Sequence, residues 1–317
     1  MIKLKTLPIG RAITTRPTRY FKSTSVRPGS FNEESMPATK GLHDVTLIPG
    51  YNIGPTMTRS LLEIFAASNA PVKFHTIDRF DWDNMKHRIQ LRANRHIIMG
   101  NILGTRDDFY LENLPFYKYL GLSVKVIHHL NLPNVKTRYQ NINFALVRAN
   151  LEEIKYIDFE VYPGVYESIS VVTDKLCLEI ATHAFQYAQK NGMPKVACLT
   201  RPELGRMTEG LLIQSCREVS RSHPQIKYEE IDTTKATIDF ASNSQRNYKT
   251  VFLVGNVNGI IFSAMGAGLV GSENITAGIN YGQYFKLFEQ GIRPQVGEFA
   301  RSTGVPFFLS FFSLVSN

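Results

Sequence analysis

Histidines and cysteines are the first side chains in this sequence to test for chemistry. The adjacent His128 and His129 lack the spacing of a metal-ligand pair, which favours surface or hydrogen-bonded histidines. Cys177, Cys198 and Cys216 are odd in number and have no C-x-x-C spacing, so we expect buried free thiols and neither a zinc site nor a disulfide framework. None of these residues alone predicts a reaction.

The elements that would position a site alternate between strands and helices. Runs of β-branched and aromatic residues predict strands, and apolar stripes at helical spacing predict helices. The predicted strands are 45–48, 96–99, 124–127, 144–147, 196–199 and 251–254, with a hairpin in 159–173. The predicted helices are 57–65, 174–191, 207–220 and 260–269. This alternation indicates an α/β fold with a largely parallel sheet.

Composition fits a globular protein but not a nucleic-acid binder. The 317 residues are 43% hydrophobic and 20% charged, enough for two domains or one large α/β unit. The formal net charge is +9, but seven of the cations lie in residues 1–32, which contain no acid. The remainder carries only +2, so the basic character belongs mostly to the tail.

That tail has the composition of a targeting segment. It is rich in Arg and hydroxyl residues and free of acids, which is typical of a mitochondrial transit peptide; a basic arm is the alternative. We interpret residues 1–40 as transit peptide and linker. The apolar run 304–316 is too short to span a membrane as a helix, so a terminal core element is expected there.

Several ordered blocks, together covering about residues 41–290, resemble one family. These blocks are VTLIPGYNIGP (45–55), VIHHLNLPNVKTRYQNINFALVR (126–148), PGVYESISVVT (163–173), HAFQYAQKNGMPKVACLT (183–200) and EGLLIQSCREV (209–219). They are similar to segments of the isocitrate/isopropylmalate dehydrogenase family. A further block, AGLVGSENITAGINYGQYFKLFE (267–289), resembles the non-catalytic gamma-type subunits of that family more than the catalytic ones.

The resemblance implies a two-domain fold with a central mixed sheet flanked by helices. Residues 41–125 and 251–317 would form the large domain, and 126–250 the small domain with its dimerisation strands and helices. After Glu289 the sequence departs from the family, so the fold would be shortened at its C-terminal end. In the family the departing segment contacts the cofactor, so the resemblance does not imply NAD binding by this chain.

The family binds isocitrate through arginines, and the resemblance locates their positions here. The first two fall on Tyr117 and Ile127, and the third is retained as Arg148. Arg138 and Asn101 are further candidates for binding a substrate or effector. Salt bridges are the alternative for both arginines.

The resemblance also implies that the proton-transfer residues are lost. The family's tyrosine falls on Ile154 or Lys155, and its lysine falls on Arg201. Arginine keeps the positive charge but is a poor base near neutral pH.

The three metal aspartates of the family fall on Thr234, Ile260 and Ala264. Mg²⁺ and Mn²⁺ need carboxylate oxygens at fixed positions, so no family-type metal site is expected. Asp232, two residues from Thr234, could replace one ligand only if the loop shifts.

These losses imply a regulatory or structural subunit in the mitochondrial matrix. It would pair with a catalytic isocitrate dehydrogenase subunit that binds NAD and Mg²⁺ or Mn²⁺, with segments 159–173 and 207–220 at the interface. An active NAD-dependent dehydrogenase and a ligand-free scaffold protein are the alternatives.

Overall fold

The computed structural model describes most of the chain after its first forty residues. The described stretches are 43–50, 54–81, 83–100, 113–132, 136–150, 159–167, 171–203, 205–242, 249–271 and 276–291. They lie in one unit that begins at Gly41. The predicted transit peptide and the apolar run 304–316 lie outside the described residues.

Strands and helices alternate along the described residues. The helices are α1 (Gly54–Ala67), α2 (Met85–Ala93), α3 (Asn113–Leu120), α4 (Asp174–Lys190), α5 (Arg206–Arg221), α6 (Thr233–Ser242) and α7 (Asn256–Val270). The strands are β1 (His43–Ile48), β2 (Val72–Thr76), β3 (His96–Met99), β4 (Leu122–Leu130), β5 (Asn143–Ala149), β6 (Phe159–Tyr162), β7 (Val165–Glu167), β8 (Lys195–Thr200), β9 (Lys227–Asp232), β10 (Thr250–Val254), β11 (Ala277–Gly282) and β12 (Lys286–Gln290).

Ten of these strands form one mixed sheet in the order β2-β1-β3-β12-β11-β4-β5-β10-β8-β9. The strands β2, β1, β3 and β12 are parallel to one another, and so are β5, β10, β8 and β9. Between the two parallel blocks, β11 and β4 pair antiparallel with each other and with their other neighbours. The mixed sheet expected from the resemblance is confirmed.

Both faces of the sheet are covered by helices. In β5, Ala145 and Val147 pack with α4 and α5, whereas Phe144 and Leu146 pack with α6 and α7. This alternation follows from the two-residue period of a strand. At the other end of the sheet, α1 covers one apolar cluster, and α2 and α3 cover a second.

One detail differs from the sequence-based expectations. Thr173, not Asp174, caps α4, because its hydroxyl accepts a hydrogen bond from the backbone N–H of Leu176. The resemblance assigns strand β10 to the large domain, yet this strand lies between β5 and β8. The division of the chain into large and small domains stays a prediction.

Candidate functional site

The positions that the resemblance assigns to substrate binding, proton transfer and metal binding lie near the carboxyl ends of the parallel strands β5, β10, β8 and β9. We refer to this side of the sheet as its carboxyl edge. Ligands of α/β proteins bind beyond the carboxyl ends of such strands. Arg148 is next to last in β5, Arg201 directly follows β8, and Thr234 lies two residues after β9. Helix α7, which carries Ile260 and Ala264, starts two residues after β10. The fold therefore brings these sequence-predicted positions to a common edge.

Arg148 is the cation retained at this edge. Its side chain is half-buried and runs across Gly259 in the first turns of α7. A Cβ at position 259 would lie 2.8 Å from Cβ and 2.9 Å from Cδ of Arg148, so only glycine fits there. The absence of a side chain at Gly259 thus leaves room for the arginine to cross the helix.

Arg138 is not brought to the same edge. It lies in the loop before β5, where the carbonyl of the adjacent Tyr139 accepts a hydrogen bond from Asn131 at 3.1 Å. Its exposed guanidinium is 5.4 Å from the ring centroid of Tyr139. Arg148 stands near the opposite end of β5, roughly 17 Å along that strand from its first residue. The two arginines therefore do not form one site.

Two further candidates, Asn101 and Ile154, lie outside the described residues. Arg201, at the family's lysine position, is exposed, and its backbone N–H donates to the Glu209 carboxylate at 3.2 Å. Binding of a substrate or effector by Arg148, Arg138 and Asn101 stays a prediction.

Asp232, the possible substitute metal ligand, caps a helix. Its Oδ1 accepts hydrogen bonds from the backbone N–H groups of Lys235 at 3.1 Å and Thr234 at 2.9 Å. These bonds, led by the one from Lys235, lower the pKa of the Asp232 carboxyl, and nearby Arg201 adds to the effect. The carboxylate thus stabilises the start of α6.

Helix α7, which carries two of the positions that the resemblance assigns to metal aspartates, has an apolar exposed surface. Val257, Ile260, Ile261 and Ala264 are all exposed, the first three by 55%, 55% and 53%. Their spacing places them along one side of the helix, and we call them the α7 stripe. The helix contains no charged residue.

The donor set expected for the family's metal does not fit here, because two aliphatic side chains and a threonine hydroxyl stand at its positions. Within the described stretches, no group of three or more His, Cys, Asp or Glu side chains could hold a metal ion.

No helix among the described residues is long and apolar enough to cross a membrane.

The two residues that the resemblance assigns to the first substrate-arginine positions, Tyr117 and Ile127, are both buried. Tyr117 is buried, and its hydroxyl lies 3.0 Å from both carboxylate oxygens of Glu289. Ile127 is fully buried beside Gly291. The Glu289 carboxylate also binds the ammonium of Lys125 at 2.6 Å and the amide of Asn280 at 2.9 Å.

Sequence reasoning missed this buried polar cluster of Tyr117, Lys125, Asn280 and Glu289. A signal was present, because Lys125 lies between two valines of β4 and Glu289 directly follows the buried Leu-Phe pair of β12. Charged residues are seldom fully buried unless they are paired.

The two adjacent histidines have different environments. His128 is hydrogen-bonded, with Nε2 2.8 Å from Asn143 Oδ1 and Nδ1 3.0 Å from the Tyr187 hydroxyl, as expected. His129 is fully buried, and neither ring nitrogen has a hydrogen-bond partner among the described residues. The expectation of a surface or hydrogen-bonded side chain is therefore wrong for His129.

The histidine and cysteine environments agree with an interior role. Burial lowers the pKa of His129 to about 3, and the neighbouring His128 adds to this effect. All three cysteines are free and buried, as expected.

The apolar stripe of α5 does not support the interface assignment for 207–220, which stays a prediction. Leu212, Ser215, Cys216 and Val219 of α5 are buried in this chain's own structure, and Leu211 packs against the same core. The stripe on α5 is therefore core. The β6–β7 hairpin differs, since Tyr162 and Tyr166 are 69% and 71% exposed.

Together, the fold and the edge define a layered α/β protein with dehydrogenase-like architecture and an apolar surface on α7 at that edge. The chain belongs to the isocitrate/isopropylmalate dehydrogenase family, which matches residues 117–293. It is 32% identical over 293 residues to the gamma subunit of mitochondrial NAD isocitrate dehydrogenase of Bos taurus, covering 89% of this chain and 74% of that protein.

Other relatives carry similar names. The chain is 33% identical over 252 residues to a regulatory subunit of mitochondrial NAD isocitrate dehydrogenase of Dictyostelium discoideum, covering 78% of this chain and 70% of that one. The crystal structure of isocitrate dehydrogenase from Methylococcus capsulatus has a similar fold, with a TM-score of 0.77 at 24% identity, covering 87% of this chain and 85% of that one.

Proposed function

We propose that this chain is a regulatory or structural, non-catalytic subunit of NAD-dependent isocitrate dehydrogenase in the mitochondrial matrix. It acts by pairing with a catalytic subunit, which binds NAD and Mg²⁺ or Mn²⁺ and converts isocitrate to 2-oxoglutarate. The names of relatives that are 32% and 33% identical support this role.

One observation carries the proposal: the family's metal positions on α7 form part of an exposed apolar stripe. Without carboxylates at Ile260 and Ala264, a divalent cation has no ligands there to polarise the substrate carbonyl. The same replacement leaves apolar side chains in water at the edge where family chemistry occurs. A helix that is apolar on every side is normally covered.

A homologous catalytic subunit is the occupant that we assign to the α7 stripe. Such a subunit shares the scaffold of this chain. The β6–β7 hairpin supports pairing as well, because it forms a separate two-stranded sheet within the described residues. A lone hairpin is marginally stable in water, so addition of a partner's strands would stabilise it.

Co-expression with a catalytic subunit tests the proposal. Ile260→Lys introduces a charge into the α7 stripe, and Ile89→Lys on α2 is the matched control, since Ile89 is 59% exposed. We expect the first variant to weaken association at least about tenfold, as for a central interface residue, and the control to behave like wild type. Size-exclusion chromatography measures association, and circular dichroism verifies the fold. Equal association of both variants would contradict the assignment.

A further inference from the structure

The buried carboxylate of Glu289 is held by donors from three other elements. Lys125 lies on β4, Asn280 on β11 and Tyr117 on α3, whereas Glu289 itself lies on β12. The four side chains are at most 7% exposed. Tyr117 has one hydroxyl proton, which it shares between two oxygens at 3.0 Å. The carboxylate therefore meets an ammonium, an amide and a phenol in a water-poor interior.

These donors are positioned by contacts that do not involve Glu289. The amide oxygen of Asn280 accepts a hydrogen bond from the Asn150 side chain at 3.0 Å. The stem of Lys125 crosses Gly278, where a Cβ would lie 2.9 Å from Cε of the lysine. Tyr117 and Lys125 also belong to backbone elements that do not contain the acid. The donors should therefore keep their places when the acid is removed.

We infer that Lys125, Tyr117 and Asn280 form a binding pocket for a small carboxylate, which Glu289 fills from within the chain. The wild-type pocket is thus closed to soluble acids, because its ligand is already attached to β12. This inference does not depend on the proposed function.

Removing the internal ligand should open the pocket. Glu289→Ala deletes Cγ and the carboxyl group, and acetate has the same atoms apart from hydrogens. A buried ammonium that loses a carboxylate partner, as Lys125 does here, is strongly unfavourable, and an entering anion would replace that partner. A ligand that binds only the folded protein raises its melting temperature.

Thermal unfolding of the full chain in acetate and in chloride, each at about 0.1 M, tests the inference. In chloride, Glu289→Ala should melt about 10 °C below wild type, as expected when one partner of a buried ion pair is lost. Acetate should restore at least about half of that difference. The melting temperature of wild type should be the same in acetate as in chloride. The same should hold for Glu289→Gln, whose amide fills the pocket.

The double variant Lys125→Met/Glu289→Ala is the matched control for the ammonium and should show no acetate response. A similar acetate response in this variant or in Glu289→Gln would overturn the inference, because it would be a general salt effect. Equal melting of Glu289→Ala in both salts would also overturn it.

If Glu289→Ala does not fold in chloride, its refolding is measured in acetate. We expect folded protein to be recovered in acetate, with Glu289→Asp as a milder variant that keeps the charge. If Glu289→Ala folds in neither salt while Glu289→Asp and Glu289→Gln fold in both, the pocket does not accept a free acid and the inference fails.

Discussion

Acidification should destabilise this protein through His129. Its ring lies 4.9 Å from that of Phe144, and its Nε2 would be 2.6 Å from a Cβ at Gly266, so the imidazole packs closely between β5 and α7. Burial, with help from His128, lowers its pKa to about 3. In the unfolded chain a histidine pKa is about 6.5.

The sign of the effect follows from proton uptake. Between these two pKa values the unfolded chain binds a proton that the folded protein excludes, so stability falls as the pH falls. Each pH unit well below about 6.5 costs about 1.4 kcal/mol, which amounts to about 2 kcal/mol between pH 8 and pH 5. Above about pH 7 this contribution is fully present.

Urea unfolding followed by circular dichroism at pH 8 and pH 5 measures this loss. We expect wild type to lose about 2 kcal/mol more than His129→Leu over that interval. A substitution at exposed His43 controls for the removal of a histidine as such. The reasoning is refuted if His129→Leu and wild type have the same pH dependence.

Three other predictions follow from the sequence and the structure. Gly266→Ala should lower the free energy of unfolding by about 1–3 kcal/mol, because the added Cβ would meet His129. Gly268→Ala on the same helix has open space and should raise the free energy of unfolding by up to about 1 kcal/mol. Urea unfolding measures both changes. The purified chain alone should show no isocitrate dehydrogenase activity with NAD or NADP in Mg²⁺ or Mn²⁺, and turnover within a hundredfold of a typical ~10 s⁻¹ would contradict this. The first ~30 residues should be removed on mitochondrial import, and a mature chain that keeps Met1 in its mass spectrum would rule this out.

Strong local patterns predict the central elements of the fold. β5 and β10 are buried runs of apolar residues, and α4 has a clear apolar face. Strand β9 is not predicted, because KYEEID is polar, as an edge strand can be. Its identity as a strand depends on its pairing with β8, which the local sequence does not encode.

The site is predictable only in part. The Asp232-Thr233-Thr234 sequence is a helix-start signal that could have identified the cap of α6. The α5 stripe, in contrast, has the same pattern whether it faces the chain's own core or a partner. Only packing shows that Leu212 faces inward.

The sequence alone determined that Thr234, Ile260 and Ala264 carry no carboxylate, because the chemical groups of a side chain do not depend on the fold. The tertiary structure decided which polar groups meet. Lys125 and Glu289 are 164 residues apart, yet they bind because β11 pairs with both β4 and β12. Likewise, two neighbouring histidines differ because alternate strand residues face opposite sides of the sheet. Hydrogen bonding and pKa depend on distance and burial, and both arise only when distant strands pair.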